Sequence, residues 1–467
     1  MNRLLLPLLR TITRKRSVRY FTDDIAPNRT TTDYNSIITK LGTGRSGPST
    51  DPSVVRYMVK DNIATTRGKT TAASKTLSTY NSPFNSTVVD LLDSQEYKLI
   101  GKTNLDEFGM GSANMNSYYA FVMNPSNSST VAGGSSGGSA AAVYADYCEF
   151  ALGTDTGGSV RLPAAYCQVA GFKPTYGRIS RWGVVPYAQT LDTVGILTKD
   201  LELMKKVYQA LDKFDEKDPT SLPEQVRSKI VKTTRRERLV VGVPEEFILL
   251  ELSDLAREAL QGALVRLQKL GHEVRSVSIK SIKKALPAYY TLATAEAASN
   301  LARYDGLRYG HNTDIEVESG ASELLFKNRS SHFLEEVGQR IILGNYTLSS
   351  DSGDHYLRAT ELREELCREF SSAFKNPHVL LQDKQNDNGV DLIIGTTALS
   401  SAPSIREYLE QTEKNMINEY ANDVLTVPAS LAGIPAASVQ FKGIGIQLMG
   451  QFGDDELVLD VAQELSK

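Results

Sequence analysis

Short apolar runs alternate with amphipathic helices along the second half of the chain, and this alternation constrains the fold most. A run at 239–243 precedes a helix whose apolar residues share one face, with Ser253 at its N-terminus and Gly271 at its end. Further strands are predicted at 273–279, 391–395 and 443–448, and a last helix at 454–465. Elements in this order pack as helices on a sheet, so the pattern predicts an α/β protein.

The size and composition of the chain exclude several classes of protein. A chain of 467 residues, 41% of them hydrophobic, can bury a large core and is neither disordered nor collagen-like. The formal net charge of −3 does not favour a protein coated in nucleic acid, and no apolar run approaches the ~20 residues that span a membrane. Cys148, Cys167 and Cys367 have neither disulfide nor metal-ligand spacing, which favours a reducing compartment and no bound metal.

The first 22 residues differ in composition from the rest of the chain. They contain no acidic residue, and a leucine cluster accompanies six basic residues, which are Arg3, Arg10, Arg14, Lys15, Arg16 and Arg19. This composition predicts a mitochondrial transit peptide over residues 1–22 and a matrix location for the remaining domain, residues 23–467. A disordered basic tail is the alternative. Removal of the segment lowers the formal charge from −3 to about −9.

Lys60 directly follows an apolar run, 54–59, that is predicted to be a buried strand. Most lysines keep their ammonium group in water, so a lysine at this position is unusual. Either an acid such as Asp61 pairs with it, or burial lowers its pKa, because burial disfavours the charged form. The sequence leaves both alternatives open.

Two glycine-rich stretches follow, at 131–144 and 151–167. The first resembles an anion-binding loop before an alanine-rich helix, but it lacks the lysine of a phosphate-binding loop, and a flexible linker is the alternative. In the second stretch, the backbone N–H groups of Thr156, Gly157, Gly158 and Ser159 can surround an oxyanion. Ser159 is a candidate nucleophile, although the usual base is a histidine and the first histidine of the chain is His272.

These stretches together resemble the amidase signature family. The resemblance rests on GGSSGGSAAA at 133–142, GTDTGGSVRLPAAYC at 153–167, GFKPTYGRIS at 171–180, and VKDN at 59–62. It implies one large α/β domain with a mixed central sheet covered by helices on both faces, and a catalytic triad within residues 50–200. In that triad Lys60 is the base, Ser135, in a cis peptide, is the proton relay, and Ser159 is the nucleophile. Two further residues, Asp155 and Arg161, are expected to support the loop through an ion pair.

A narrower resemblance, to the family of A-type subunits of glutamyl-tRNA(Gln) amidotransferases, rests on the segments at 101–117, 295–310 and 422–439. It implies that the chain hydrolyses glutamine and supplies ammonia to a B-type subunit, which uses ATP and Mg to convert Glu-tRNA(Gln) to Gln-tRNA(Gln). This chain itself is expected to hold no cofactor and to meet tRNA mainly through its partner. A small third subunit is expected as well, and the absence of the usual Pro-Cys-Gly segment after Val439 leaves open whether it is of the usual or a substitute type.

The same resemblance places a glutamine pocket and partner-facing region at about 280–440. Tyr290, Arg340 and Asp423 map onto the glutamine-binding positions. A guanidinium fork suits the α-carboxylate of glutamine, and a carboxylate suits its ammonium. Without the resemblance, Tyr290 is better explained as a core residue and Arg340 as a residue that solvates a helix face. The alternative functions are a free-standing amidase acting on another small amide, and a scaffold without catalysis.

Overall fold

The computed structural model describes residues 33–41, 54–95, 97–233, 238–312, 321–381, 383–414 and 421–467. The transit peptide predicted at 1–22 lies outside these residues. Within the described ranges, no helix is both long enough and apolar enough to cross a membrane.

Eleven strands in the described part of the chain form one mixed sheet. They are β1 Ile37–Lys40, β2 Arg56–Lys60, β3 Lys98–Thr103, β4 Phe150–Asp155, β5 Ala170–Lys173, β6 Thr193–Thr198, β7 Val240–Pro244, β8 Glu273–Val277, β9 Leu392–Thr396, β10 Ala436–Phe441 and β11 Ile444–Gly450. Their order across the sheet is β1-β3-β2-β4-β6-β5-β10-β11-β9-β7-β8. Parallel pairing is confined to β3-β2-β4 and β9-β7-β8, and the other neighbours are antiparallel.

Thirteen α-helices accompany the sheet in the described ranges. They are α1 Thr87–Asp93, α2 Gly137–Tyr144, α3 Arg161–Tyr166, α4 Leu201–Leu211, α5 Glu224–Arg227, α6 Asp254–Lys269, α7 Ile282–Leu301, α8 Ala321–His332, α9 Glu335–Leu348, α10 His355–Ala373, α11 Ile405–Lys414, α12 Val427–Leu431 and α13 Asp455–Ser466.

Helices cover both faces of the sheet. Successive strand residues point to opposite faces, and the two sides of β4 join different cores: Phe150 and Leu152 lie in the largest apolar cluster, whereas Ala151 lies in a second one. The first cluster contains the buried face of α4, and the second contains the alanines of α2. The predicted α/β fold, with a mixed sheet covered on both faces, is confirmed.

The strands and helices predicted in the second half of the chain are present. The run at 239–243 forms β7, and Ser253 caps α6, its hydroxyl accepting a hydrogen bond of 3.2 Å from the Ala256 N–H. The other predicted strands correspond to β8, β9 and β11, and the last helix is α13. Local apolar pattern and capping chemistry are sufficient to place these elements.

Two parallel strands, β2 and β4, bring residues of the sequence motifs together at their carboxyl ends. They are direct neighbours, with Val59 level with Leu152. Because they are parallel, their carboxyl ends lie side by side, and Lys60 and Asp155 occupy those ends. Sites in α/β sheets are commonly built at such carboxyl ends.

Candidate active site

Lys60 reaches Ser135 directly. The lysine is fully buried at the end of β2, and its Nζ lies 2.7 Å from Ser135 Oγ. The Nζ also donates to the Thr154 carbonyl at 3.3 Å and to the Thr154 hydroxyl at 3.0 Å. Burial lowers the pKa of Lys60 to about 7, against the opposing attraction of nearby carboxylates. A neutral amine is therefore well populated at neutral pH.

Asp61 is not the partner of Lys60. Its carboxylate lies 3.1 Å from Lys102 Nζ, and both side chains are fully buried. The backbone N–H and the hydroxyl of Thr71 donate to the same carboxylate. The sequence alternative in which Asp61 neutralises Lys60 is therefore wrong, because Asp61 is already paired within its own network.

Thr154 orients the Lys60 amine. A neutral amine has two N–H groups and one lone pair, and Thr154 offers two acceptors, its carbonyl and its hydroxyl. The Thr154 hydroxyl also accepts a hydrogen bond of 3.1 Å from the Asn62 side-chain amide. With both N–H groups directed at Thr154, the lone pair is left for Ser135. The geometry is that of a base facing a hydroxyl.

Ser135 and Ser159 belong to adjacent backbone segments. The Gly134–Ser135 peptide bond is cis, and α2 begins two residues later. The Ser136 N–H donates to the Ser159 carbonyl at 3.1 Å, which ties the two segments together. Within the motif at 153–167, Ser159 is the one residue that is not buried. Ser159 therefore contacts the buried Ser135–Ser136 segment through its carbonyl and is still accessible from outside.

The loop from Thr156 to Ser159 presents unused backbone donors. None of its four N–H groups donates a hydrogen bond within the described part of the chain. The next two, those of Val160 and Arg161, turn instead towards Asp155 Oδ2 at 3.1 and 3.4 Å. N–H groups without an internal acceptor, beside a candidate nucleophile, can bind an oxyanion.

Asp155 and Arg161 form an ion pair of 2.9 Å beneath this loop, and both side chains are fully buried. Arg161 also donates to the Thr426 carbonyl at 2.8 Å and to the Gln447 side chain at 2.6 Å. Burial acts to raise the pKa of Asp155, but the Arg161 guanidinium, together with Lys173 and the hydrogen bond from the Val160 N–H, holds this pKa below its ordinary value. The pair joins the loop to α12 and β11. Support of the loop by this pair stays a prediction.

Neighbouring side chains leave no room for a Cβ at Gly157 or Gly158. A Cβ added at Gly157 would lie 2.7 Å from the Tyr289 hydroxyl, and one at Gly158 would lie 2.2 Å from Thr426 Oγ1. Real Cβ atoms do not approach other atoms so closely. The two glycines therefore let the loop pack against α7 and α12.

Tyr290 and Asp423 are in direct contact, and Arg340 lies close to them. The Tyr290 hydroxyl donates to Asp423 Oδ2 at 3.0 Å. Burial and the Asp423 carboxylate raise the pKa of Tyr290 well above its usual value, whereas the Arg340 guanidinium acts to lower it. All three side chains are buried, Arg340 to 3% exposure. The structure thus brings the predicted glutamine-binding residues into one polar cluster.

The helix that carries Arg340 crosses α7 closely. A Cβ at Gly344 would lie 2.0 Å from the Thr294 carbonyl, so only glycine allows this approach. Arg340 and Gly344 are one helical turn apart and share a face of α9. This spacing explains how the segment RIILG at 340–344 directs its arginine towards Tyr290 on α7.

Three residues of the site were missed by the sequence interpretation. Thr154 contacts Lys60, and Tyr289 and Thr426 pack against the loop at 156–159. Thr154 lies inside the quoted motif, so its position was available as a signal. Thr426 likewise lies inside the segment at 422–439, but its contact with the loop, like that of Tyr289, does not follow from the sequence, because both depend on how α7 and α12 pack on the loop. Across the described ranges, no group of three or more His, Cys, Asp or Glu side chains could hold a metal ion.

Comparison with known proteins agrees with this architecture. Residues 55–459 match the family model described as Amidase. A Candida albicans (strain SC5314 / ATCC MYA-2876) protein, named as the mitochondrial A-type subunit of glutamyl-tRNA(Gln) amidotransferase, is 62% identical over 96% of this chain and 99% of its own length. An Eremothecium gossypii protein of the same name is 47% identical over 87% of this chain and 89% of its own.

A solved structure gives the same result. The crystal structure of the A-type subunit of glutamyl-tRNA(Gln) amidotransferase from Thermotoga maritima superposes with a TM-score of 0.72 and 32% sequence identity. The match covers 92% of this chain and 86% of that one. The family expected from the motifs at 133–142 and 153–167 is confirmed: the chain belongs to the amidase family.

Proposed function

We propose that this chain is the glutamine-hydrolysing subunit of a mitochondrial glutamyl-tRNA(Gln) amidotransferase. The observation that carries the proposal is the contact of 2.7 Å between Ser135 Oγ and the buried Lys60 amine, whose pKa is about 7. A base of this pKa can accept a proton at neutral pH. The names of the close relatives, which call them mitochondrial A-type subunits of this enzyme, support the substrate and the location.

The reaction begins with activation of Ser159. Lys60 takes the hydroxyl proton of Ser135, and Ser135 takes that of Ser159, because a hydroxyl both donates and accepts. Ser159 Oγ then forms a bond to the side-chain carbonyl carbon of glutamine. The proton ends on Lys60 as an ammonium, which Asp155 and two further acids, Asp106 and Asp192, stabilise at longer range.

The tetrahedral intermediate places a negative charge on the former carbonyl oxygen. The N–H groups from Thr156 to Ser159 bind this oxyanion, and each such donor contributes roughly 3 kcal/mol to the transition state. The C–N bond breaks and ammonia leaves with the proton returned from Lys60 through Ser135. Water then cleaves the glutamyl ester of Ser159, releasing glutamate and restoring the serine.

The polar cluster of the pocket selects a free amino acid. Arg340 binds the α-carboxylate of glutamine in a fork, and Asp423 accepts from its α-ammonium. The Tyr290 hydroxyl orients Asp423 through their hydrogen bond of 3.0 Å. Because Tyr289, next to Tyr290, packs on Gly157, this pocket adjoins the oxyanion loop. An amide without these charges would make neither of these two contacts.

Ammonia released here has to reach a second active site. We assign that site, with ATP and Mg, to a B-type subunit, and we expect a small third subunit of the usual or a substitute type. Contact with Glu-tRNA(Gln) belongs mainly to the partner. Support comes from the names of the relatives, which describe one subunit of an amidotransferase and so imply a heteromeric enzyme.

Replacement of the nucleophile tests the proposal. In the assembled complex, Ser159→Ala is expected to abolish glutamine-dependent amidation of Glu-tRNA(Gln) while ammonia-dependent amidation survives, because the nucleophile only liberates ammonia. Ser139→Ala is a matched control, since it removes a buried hydroxyl of α2 that faces Thr103 and the Leu152 carbonyl. Equal loss of both activities in an assembled Ser159→Ala complex would overturn the role of Ser159.

A further inference from the structure

A groove of about 1150 Å³ lies outside the residues assigned to catalysis and glutamine binding. Four separate parts of the chain line most of it: 76–84, 181–189, 217–220 and 299–310. We call it the Trp182 groove, after the single tryptophan of the chain. Its lining differs in two respects from an ordinary protein surface.

The first difference is a concentration of exposed aromatic rings. Trp182 and Phe84 are 40% and 41% exposed and pack against each other with ring centroids 5.8 Å apart. Tyr309, in another part of the lining, is 64% exposed. Tryptophan, tyrosine and arginine are the residues most enriched among the energetically dominant contacts of protein interfaces.

The second difference is charge. The lining contains four basic residues and one acidic residue, and these are Arg181, Lys217, Arg303, Arg308 and Asp218. The acid is already occupied, since its carboxylate accepts from the N–H groups of Arg181 and Thr220. The chain as a whole carries a formal charge of −3. Acids just outside the lining lie near three of these cations: Asp192 lies 4.0 Å from Arg181, Asp215 lies near Lys217, and Asp305 lies near Arg308. Within the lining itself basic side chains still outnumber acidic ones, which favours an occupant that carries carboxylates.

The rim of the groove is held in place before anything binds. The Trp182 N–H donates to Ser180 Oγ at 3.1 Å, and the Trp182 carbonyl accepts from the Thr87 N–H at 3.3 Å. Arg181 is held by a hydrogen bond of 3.1 Å to Thr220. A site whose groups are already ordered loses less conformational entropy on binding.

The buried part of the lining combines aliphatic side chains with two threonines, Thr70 and Thr76. Ala64, Leu77 and Val184 line the groove, and the first two are buried. Aliphatic surface suits apolar protein side chains, whereas single-stranded nucleic acid relies on open ring faces for stacking. Trp182 and Phe84 already use ring surface on each other. The observations therefore favour a protein occupant over RNA.

We propose that the Trp182 groove binds an extended segment of a partner protein of the same complex, in which acidic residues alternate with apolar ones. The carboxylates meet Arg308 and Lys217, and the apolar side chains lie on Trp182 and Leu77. The proposal rests on the proposed function, because it requires that the chain works in a heteromeric complex. It assigns to this chain the surface by which assembly takes place.

The single tryptophan provides a direct probe. The full chain, labelled with 5-fluorotryptophan, has one fluorine resonance, from Trp182. On assembly with unlabelled partner subunits, this resonance is expected to shift and to lose most of its sensitivity to exchange of H2O for D2O. An unchanged, solvent-sensitive resonance in the assembled complex overturns the proposal. A shift produced by tRNA alone, and not by the partner subunits, overturns it in favour of an RNA site.

Charge reversal tests the same surface by affinity. Arg308→Glu combined with Lys217→Glu is expected to weaken assembly about tenfold or more, because like charges then face each other. The matched control reverses two exposed cations of another surface, Lys269→Glu with Lys442→Glu, which lie beside α6 and β10. Equal weakening by both pairs overturns the proposal.

Failure of this proposal and failure of the proposed function are distinguishable. Glutamine-dependent amidation by the unmodified complex reports on the function and does not depend on which surface binds the partner. An active complex with an unchanged Trp182 resonance removes only the groove proposal. An assembled complex that shifts the resonance but hydrolyses no glutamine removes only the proposed function.

Discussion

Residues 54–198 and residues 282–431 meet at the active site but contribute to it differently. The first region supplies the proposed reacting groups, with Lys60 and Ser135 in contact at 2.7 Å and Ser159 beside them. The second region supplies a cluster of charged and polar groups, with Asp423 and Tyr290 in contact at 3.0 Å. Under the proposed function, the comparison predicts that one region determines how fast an amide is cleaved and the other determines which amide is bound.

The two regions also differ in what holds them. In the first region, Lys60 ends β2 and the loop at 156–159 follows β4. Because these two strands are parallel neighbours, the register of the sheet places Lys60 and the loop side by side. In the second, helices α7 and α9 converge with the turn that carries Asp423 before α12, and the crossing of α9 over α7 depends on the close approach at Gly344. Changes in the first region should therefore act on kcat, and changes in the second on KM.

After Ser159→Ala, the largest effect is expected for Lys60→Met, which keeps an unbranched side chain but removes the proposed base. Glutamine hydrolysis is expected to fall in kcat by about 10²- to 10⁴-fold, with KM nearly unchanged. Steady-state kinetics of ammonia release measure both parameters. Lys173→Met is the matched control, because Lys173 is another buried lysine whose pKa burial lowers to about 7. Similar loss in both variants would show that packing, and not proton transfer, explains the effect.

Removal of the pocket charges comes next. Arg340→Ala and Asp423→Ala are each expected to reduce kcat/KM for glutamine about 30-fold or more, because a charge of the substrate loses its partner in a desolvated pocket. Hydrolysis of a small neutral amide should fall much less. If both variants hydrolyse glutamine at the unmodified rate, the pocket assignment is wrong and a free-standing amidase becomes the better hypothesis.

The pH dependence should follow the first region alone. Since the pKa of Lys60 is lowered to about 7 and the neutral amine is the base, kcat/KM is expected to rise about tenfold per pH unit below that value. Above it the profile should level off. Measured from about pH 5 to 9, the inflection should persist in Arg340→Ala. A profile without any inflection near 7 contradicts the assignment of Lys60.

The smallest effect is expected for Tyr290→Phe. The variant loses the hydrogen bond of 3.0 Å to Asp423 but keeps the carboxylate for the substrate ammonium. Roughly 1 kcal/mol, or about fivefold, should appear in KM with little change in kcat. Glutamine titration of the variant measures this change. A drop confined to kcat would indicate that Tyr290 acts in the chemical step, and it would contradict the division of roles between the two regions.

Sequence pattern was enough for much of the fold. Strand β7, the Ser253 cap of α6 and helix α13 follow from local spacing and capping chemistry. The order of the eleven strands does not follow from these patterns, because β5 pairs with β10, which lies more than 260 residues further along the chain. Such neighbours are chosen by the packing of the whole sheet.

What the sequence alone determined is the chemistry: a serine, a second serine and a lysine in motifs typical of one family, together with the residue types that suit a free amino acid. Only the tertiary structure decided between the two environments of Lys60, since Asp61 pairs with Lys102 instead. It also decided why Gly157 and Gly158 lack side chains, because Tyr289 and Thr426 approach them from distant parts of the chain. The identity of a reacting group is local, whereas its pKa and its free space depend on atoms that only folding brings near.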